Sequence, residues 1–120
     1  TLGHGLESYH SLPHEIAVGH GLIFAIGWSE HQGYCKTKDA EDLIDLLTEK
    51  TEFLKPKDFV KKYRAMSRSK LQKYIQEDKK LTDTRHLTFI FLEKAGAPFR
   101  KNVPLESFLT ETQRQGWTAV

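Results

Sequence analysis

The feature that most constrains this chain is a glycine-interrupted apolar helix pattern near its start. Ile16, Ala17, Gly21, Phe24, Ala25 and Trp28 fall on one stripe at helical spacing, and Val18, Leu22 and Ile26 widen it. Pro13 fits the first turn of such a helix, where its missing N–H is no loss. The pattern predicts a helix from Pro13 to about His31, central and buried on most sides, with Gly33 as its C-cap. Glycine inside a helix costs roughly 1 kcal/mol relative to alanine. Gly19, Gly21 and Gly27 therefore imply close approach by another helix, a ligand or a metal site. Residues 1–33 hold five of the six histidines and six of the eight glycines. Histidines supply neutral nitrogen ligands and proton shuttles near physiological pH, so this segment reads as an active-site wall.

The remaining pattern is mainly α. Leu2, Leu6 and Tyr9 mark the tail of a helix that ends by Ser11. A third helix opens at Thr37 or Lys38, with Leu43, Ile44, Leu46 and Leu47 as its apolar face and Asp39, Glu41 and Asp42 near its positive end. Residues 53–56 are a break. A short helix at 57–64 carries Phe59, Val60 and Tyr63. Ser67 or Ser69 caps another, with Leu71, Tyr74 and Ile75 inward, ending near Asp78-Lys79-Lys80. The run LTFIFL at 87–92 is too short for a helix and rich in β-formers. With Gly96 and Pro98 as a turn, residues 87–103 predict one small β-hairpin. Leu105, Phe108 and Leu109 begin a last helix, ended by Gly116.

Composition narrows the function classes. A length of 120 residues suits a single domain spanning 1–120 or a piece of one. The net charge of +2, from interleaved acids and bases, gives no nucleic-acid footprint. The most apolar run, residues 21–28, is far shorter than the roughly 20 residues that span a bilayer, and no secretory leader pattern precedes it. Cys35 is the sole cysteine, which excludes an internal disulfide and fits a reducing, cytoplasmic setting. The chain starts at Thr1 inside a patterned element, which reads as part of a longer protein.

Histidine spacing does not define a complete metal site. No HExxH occurs. His10 and His14 are four apart, but Pro13 breaks the helix between them, and His14 and His20 point to different faces. One ligand contributed to a site shared with residues outside the chain is the reading that remains. His10, His31 and His86 read as surface or hydrogen-bonded core residues. Lys79 and Lys80 close a helix, where cations complement the dipole; a phosphate or carboxylate contact is the sharper alternative. Cys35 has no base beside it in sequence and reads as structural.

Three separated motifs, in order, resemble the 3-dehydroquinate synthases and related sugar-phosphate cyclases. Thr1-Leu2-Gly3-His4-Gly5-Leu6-Glu7 is similar to the end of the GHTxGHxxE signature of that family. The stretch from His14 to Leu22 resembles its HGEAVAxGM helix, with His14, Ala17, Val18 and Gly21 matching. Asp78-Lys79-Lys80 before a strand and a glycine turn resembles its DKK segment and late hairpin.

The resemblance implies a helical C-terminal domain, part of the metal- and substrate-binding half of such an enzyme, with the N-terminal NAD-binding domain outside this chain. It implies NAD and Zn2+ or Co2+ in the full-length enzyme, with neither bound by this chain alone. It further implies a sugar-phosphate substrate, a homodimeric full-length protein and a cytoplasmic location. The implied reaction is conversion of 3-deoxy-arabino-heptulosonate 7-phosphate to 3-dehydroquinate plus phosphate, with the isolated chain inactive. By motif position, His4 matches a catalytic, substrate-side histidine, His14 a metal ligand, and Lys79 and Lys80 the substrate-contacting lysines. Glu15 and Ile16 stand where the family has Gly then Glu. A shifted register would instead make His20 the ligand. A cyclase of the inosose or valiolone synthase type, and a non-enzymatic helical interaction domain, are the alternative readings.

Overall fold

The computed structural model describes residues 2–77, 85–94 and 96–119. The described residues form a mainly α fold: α1 (Leu2–His10), α2 (His14–His31), α3 (Thr37–Lys50), α4 (Pro56–Tyr63), β1 (Met66–Ser67), α5 (Arg68–Glu77), β2 (His86–Leu92), β3 (Pro98–Pro104), α6 (Leu105–Gln115) and β4 (Thr118–Ala119). No described helix is long and apolar enough to cross a membrane.

Helix α2 is the axis of the fold. Ala17, Ile23, Phe24, Ile26 and Trp28 are buried along it. Its start differs from expectation by one residue: Pro13 precedes the helix in an extended conformation, and the first helical residue is His14. At its end the cap is Gln32, and Gly33 follows it in the left-handed region at φ 80°. Gly33 N–H donates to Glu30 O and Tyr34 N–H to Ser29 O, satisfying carbonyls that the last turn leaves open.

The glycines set how closely α1 lies on α2. A β-carbon on Gly3 would stand 2.9 Å from the Ala17 carbonyl oxygen, and one on Gly21 would stand 3.2 Å from the Gly3 nitrogen. Backbone therefore packs on backbone where these two helices cross, which is the close approach that the glycine content predicts. The turn between them passes through Ser11 at φ 54°. Gly19 faces a different neighbour, the Phe53 ring.

Strands β2 and β3 pair antiparallel from His86↔Pro104 to Leu92↔Pro98, the hairpin that the sequence predicts. The inward residues Leu87, Phe89, Phe91 and Val103 are buried. Phe89 and Phe91 pack on Trp28 at ring distances of 4.8 and 5.0 Å, and Phe24 packs on Phe108 at 5.2 Å. Ser29 ties the hairpin to α2: its Oγ donates to Ala25 O and accepts the Leu92 N–H at 2.9 Å.

Two features depart from the sequence reading. A two-residue parallel pairing, Met66↔Thr118 and Ser67↔Ala119, joins β1 to β4; segments this short carry no periodicity. Val18, Leu22 and Leu46 are more exposed than an inward face allows, at 53%, 40% and 53%. Their helices bury other sides, so these side chains point away from the core of this chain.

Candidate functional site

Helices α1 and α2 run antiparallel across the short bend at residues 11–13, with Gly3 set against Ala17. One turn beyond Gly3 on α1 stands Glu7; one turn before Ala17 on α2 stands His14. Glu7 Oε2 and His14 Nδ1 meet at 3.1 Å. The contact sets a carboxylate, an acceptor when ionised, against a ring nitrogen that donates when it carries the proton. The His14 side chain is 72% exposed.

This pair stands at a cleft of about 420 Å3 bounded by α1, α2 and β2. Glu7, His14 and Thr88 supply its polar groups; Val18, Phe24 and Ile90 are among its apolar walls. Val18 and Ile90, both 53% exposed, are thus not stray surface residues but walls of the same depression. Gly21 lies on this wall as well. The cleft combines an apolar lining with a few convergent polar groups, the usual make-up of a small-molecule site.

His20, the other candidate ligand, is placed quite differently. It is buried, and both ring nitrogens are used: Nδ1 donates to Ile16 O at 2.9 Å, and Nε2 accepts the Leu54 N–H at 3.0 Å. The rings of Phe53, Phe59 and Trp117 surround it. Burial holds its pKa below the ordinary 6.5, against a smaller opposing effect of the Ile16 carbonyl. His20 locks the 53–56 segment onto α2, and no lone pair is left over for a metal.

The remaining candidates separate. His4 lies on α1, with its side chain outside the described residues. Lys79 and Lys80 also lie outside the described residues. His10 is half-buried against Tyr9, Phe59 and Tyr63, and burial, then Arg64, lowers its pKa. Cys35 is buried, and burial, then Asp39 and Glu30, pushes its thiol pKa up, which suits a structural residue.

Among the described residues, no group of three His, Cys, Asp or Glu side chains comes together to hold a metal ion. What they do offer is one imidazole at a cleft, backed on Nδ1 by a carboxylate. A carboxylate behind the non-ligating nitrogen is the usual support for a metal-bound histidine, so His14 fits the role of a single ligand completed from elsewhere. Glu7 is the functional candidate to which motif reading gives no role. It stands in the quoted signature, but its pairing with His14 follows only once the two helices are seen to run antiparallel.

The fold and the cleft together define a helical domain built on a glycine-packed helix pair, with a carboxylate-backed histidine at its cleft. Residues 1–81 match the family model described as 3-dehydroquinate synthase C-terminal, and the chain belongs to that family. Membership assigns it to a lyase family of the shikimate pathway. No curated protein matches the chain.

Proposed function

We propose that this chain forms the metal- and substrate-side wall of a 3-dehydroquinate synthase, the enzyme that converts 3-deoxy-arabino-heptulosonate 7-phosphate to 3-dehydroquinate and phosphate. The observation that carries the reading is His14 at the cleft with Glu7 on its Nδ1. In this reading His14 is one metal ligand, and the other ligands and the NAD-binding domain belong to parts of the protein outside this chain. His20 is the weaker choice, because both of its nitrogens are already hydrogen-bonded inside the core.

Each residue then has a definite task. His14 presents Nε2 while Glu7 holds the opposite nitrogen. Val18, Phe24 and Ile90 keep water from one side of the cleft. Thr88 offers a hydroxyl, able to donate or accept, to a polyhydroxylated ligand. His4 is the substrate-side acid or base, and Lys79 and Lys80 are point charges for phosphate or carboxylate. A bound Zn2+ or Co2+ would polarise the carbonyl and the hydroxyl beside it. The full-length enzyme is read as a cytoplasmic homodimer, and the chain alone as inactive.

The experiment uses a longer protein that carries this domain. Metal content and phosphate release from the heptulosonate phosphate, with NAD present, are measured for the wild type, His14→Ala and His20→Ala. His14→Ala is expected to lose both metal and phosphate release. If metal and activity both survive in His14→Ala, the assignment fails. A second reading, a cyclase acting on another sugar phosphate, is favoured by Glu15 and Ile16 in place of the family's Gly and Glu. It predicts a metal-containing wild type that is inactive on the heptulosonate phosphate and active on a different member of a sugar-phosphate panel.

A further inference from the structure

We infer that Glu7 is a positioning residue for His14: its carboxylate fixes the imidazole as the Nδ1–H tautomer and so presents the Nε2 lone pair at the cleft. The inference deepens the reading of His14 as a ligand and rests on it for its functional meaning. Its structural basis is independent of that reading.

The helix crossing sets the geometry. A β-carbon at Gly3 would stand 2.9 Å from the Ala17 carbonyl oxygen, so α1 lies backbone to backbone on α2 at this point. With the register fixed there, the next turn toward the Ser11 bend brings Glu7 opposite His14. The resulting 3.1 Å contact is therefore set by backbone packing rather than by a chance meeting of two surface side chains.

The chemistry of the two groups then decides the tautomer. With the proton on Nε2, the Nδ1 lone pair would face a carboxylate oxygen, and the two would repel. With the proton on Nδ1, a hydrogen bond forms and Nε2 is left with its lone pair. His20, six residues along the same helix, provides an internal comparison. It has the same tautomer, set by the Ile16 carbonyl, but its Nε2 is consumed by the Leu54 amide. His14 differs in that its side chain is 72% exposed and lines the cleft. One helix thus carries two imidazoles in one tautomeric form, the first turned to a cleft and the second spent on the core.

The test reads the tautomer directly in the 120-residue chain. Long-range 1H–15N correlation spectra of histidine-labelled protein are recorded at about pH 8, more than a unit above the ordinary imidazole pKa. His14 is expected to show a protonated Nδ1 and an unprotonated Nε2. Glu7→Ala is expected to return His14 to the Nε2–H form that an unconstrained histidine prefers, while His20 keeps its pattern as an internal check on folding. Glu7→Gln, whose amide oxygen can still accept, is expected to retain the wild-type form. A wild-type His14 in the Nε2–H form, or an unchanged tautomer in Glu7→Ala, would overturn the inference.

A second readout separates this from the functional reading. In a longer protein carrying the domain, Glu7→Ala is expected to weaken Zn2+ affinity by about 10- to 100-fold, measured by chelator competition, with partial recovery in Glu7→Gln. Unchanged affinity in Glu7→Ala would overturn the positioning role. Unchanged affinity in His14→Ala would instead remove His14 as the ligand, with the tautomer result still standing on its own spectra.

Discussion

The amide of Leu54 donates to Nε2 of His20 across 3.0 Å, joining the segment before α4 to the middle of α2. The acceptor works only while the imidazole is neutral. Burial holds the folded-state pKa of His20 below 6.5, so the unfolded chain binds the proton more readily. Stability should be complete above the unfolded value of about 6.5 and fall as the pH drops through it toward the folded value. His10, lowered by burial and then by Arg64, adds with the same sign. Urea midpoints at about pH 7.5 and 5.5 check this. The wild type should be less stable at the lower pH, with a smaller drop in His20→Gln. Equal drops in the two proteins would remove His20 from the explanation.

Gly3 should not tolerate a methyl group. Its nearest obstacle is the carbonyl oxygen of Ala17, which is backbone and cannot rotate aside. Gly3→Ala should force α1 away from α2 at a cost of about 1–3 kcal/mol. The same displacement should lengthen the Glu7–His14 contact. Thermal unfolding gives the first quantity, and the His14 tautomer spectrum reports the second. An unshifted melting temperature would contradict the packing described.

Ser29→Ala should loosen the hairpin. The hydroxyl is the acceptor for the Leu92 amide, and its loss leaves that N–H without its partner. The expected cost is about 1–3 kcal/mol. Amide hydrogen exchange at Leu92 should accelerate more than exchange in α4. Uniform acceleration would mean that the hydroxyl supports the whole fold rather than this junction.

Arg64→Gly should stabilise the protein. Arg64 ends α4 at φ 70° and ψ 156°, a region that residues with a β-carbon rarely occupy. Strain of this kind costs of order 1–3 kcal/mol, and the greater freedom of glycine in the unfolded chain returns part of it. A gain of about 1 kcal/mol in chemical denaturation is expected. A loss would show that the Arg64 side chain contributes more than its backbone costs.

Much of this architecture is legible in the sequence because its signals are local. Pro13, Pro56 and Gly116 punctuate helices, and the apolar spacing in α1, α2 and α6 marks their inward faces. The short run of β-formers at 87–92 marks a strand. The features that escape the sequence depend on partners far away in it. Val18 and Leu22 look like core residues because hydropathy cannot show whether a second surface lies opposite them. The role of His20 depends on where residue 54 folds back. Glu7 and His14 are seven apart across a bend, and only the antiparallel glycine contact makes them neighbours. The metal-ligand reading of His14 comes from its motif position, and the structure adds the carboxylate behind it.

The β1–β4 clasp has a consequence for how this domain can be cut and made. The family model matches residues 1–81, yet Phe89, Phe91, Phe108 and Trp117 all lie in the same core as α1 and α2. Trp117 packs on Phe59 at 5.1 Å, and the adjoining strand pairs with the one that precedes α5. The matched stretch therefore shares its core with residues beyond that boundary. Without residues 117–119, the histidine-bearing helix would lack part of its core. A chain trimmed to the recognised boundary would hold that helix in the same unfinished condition.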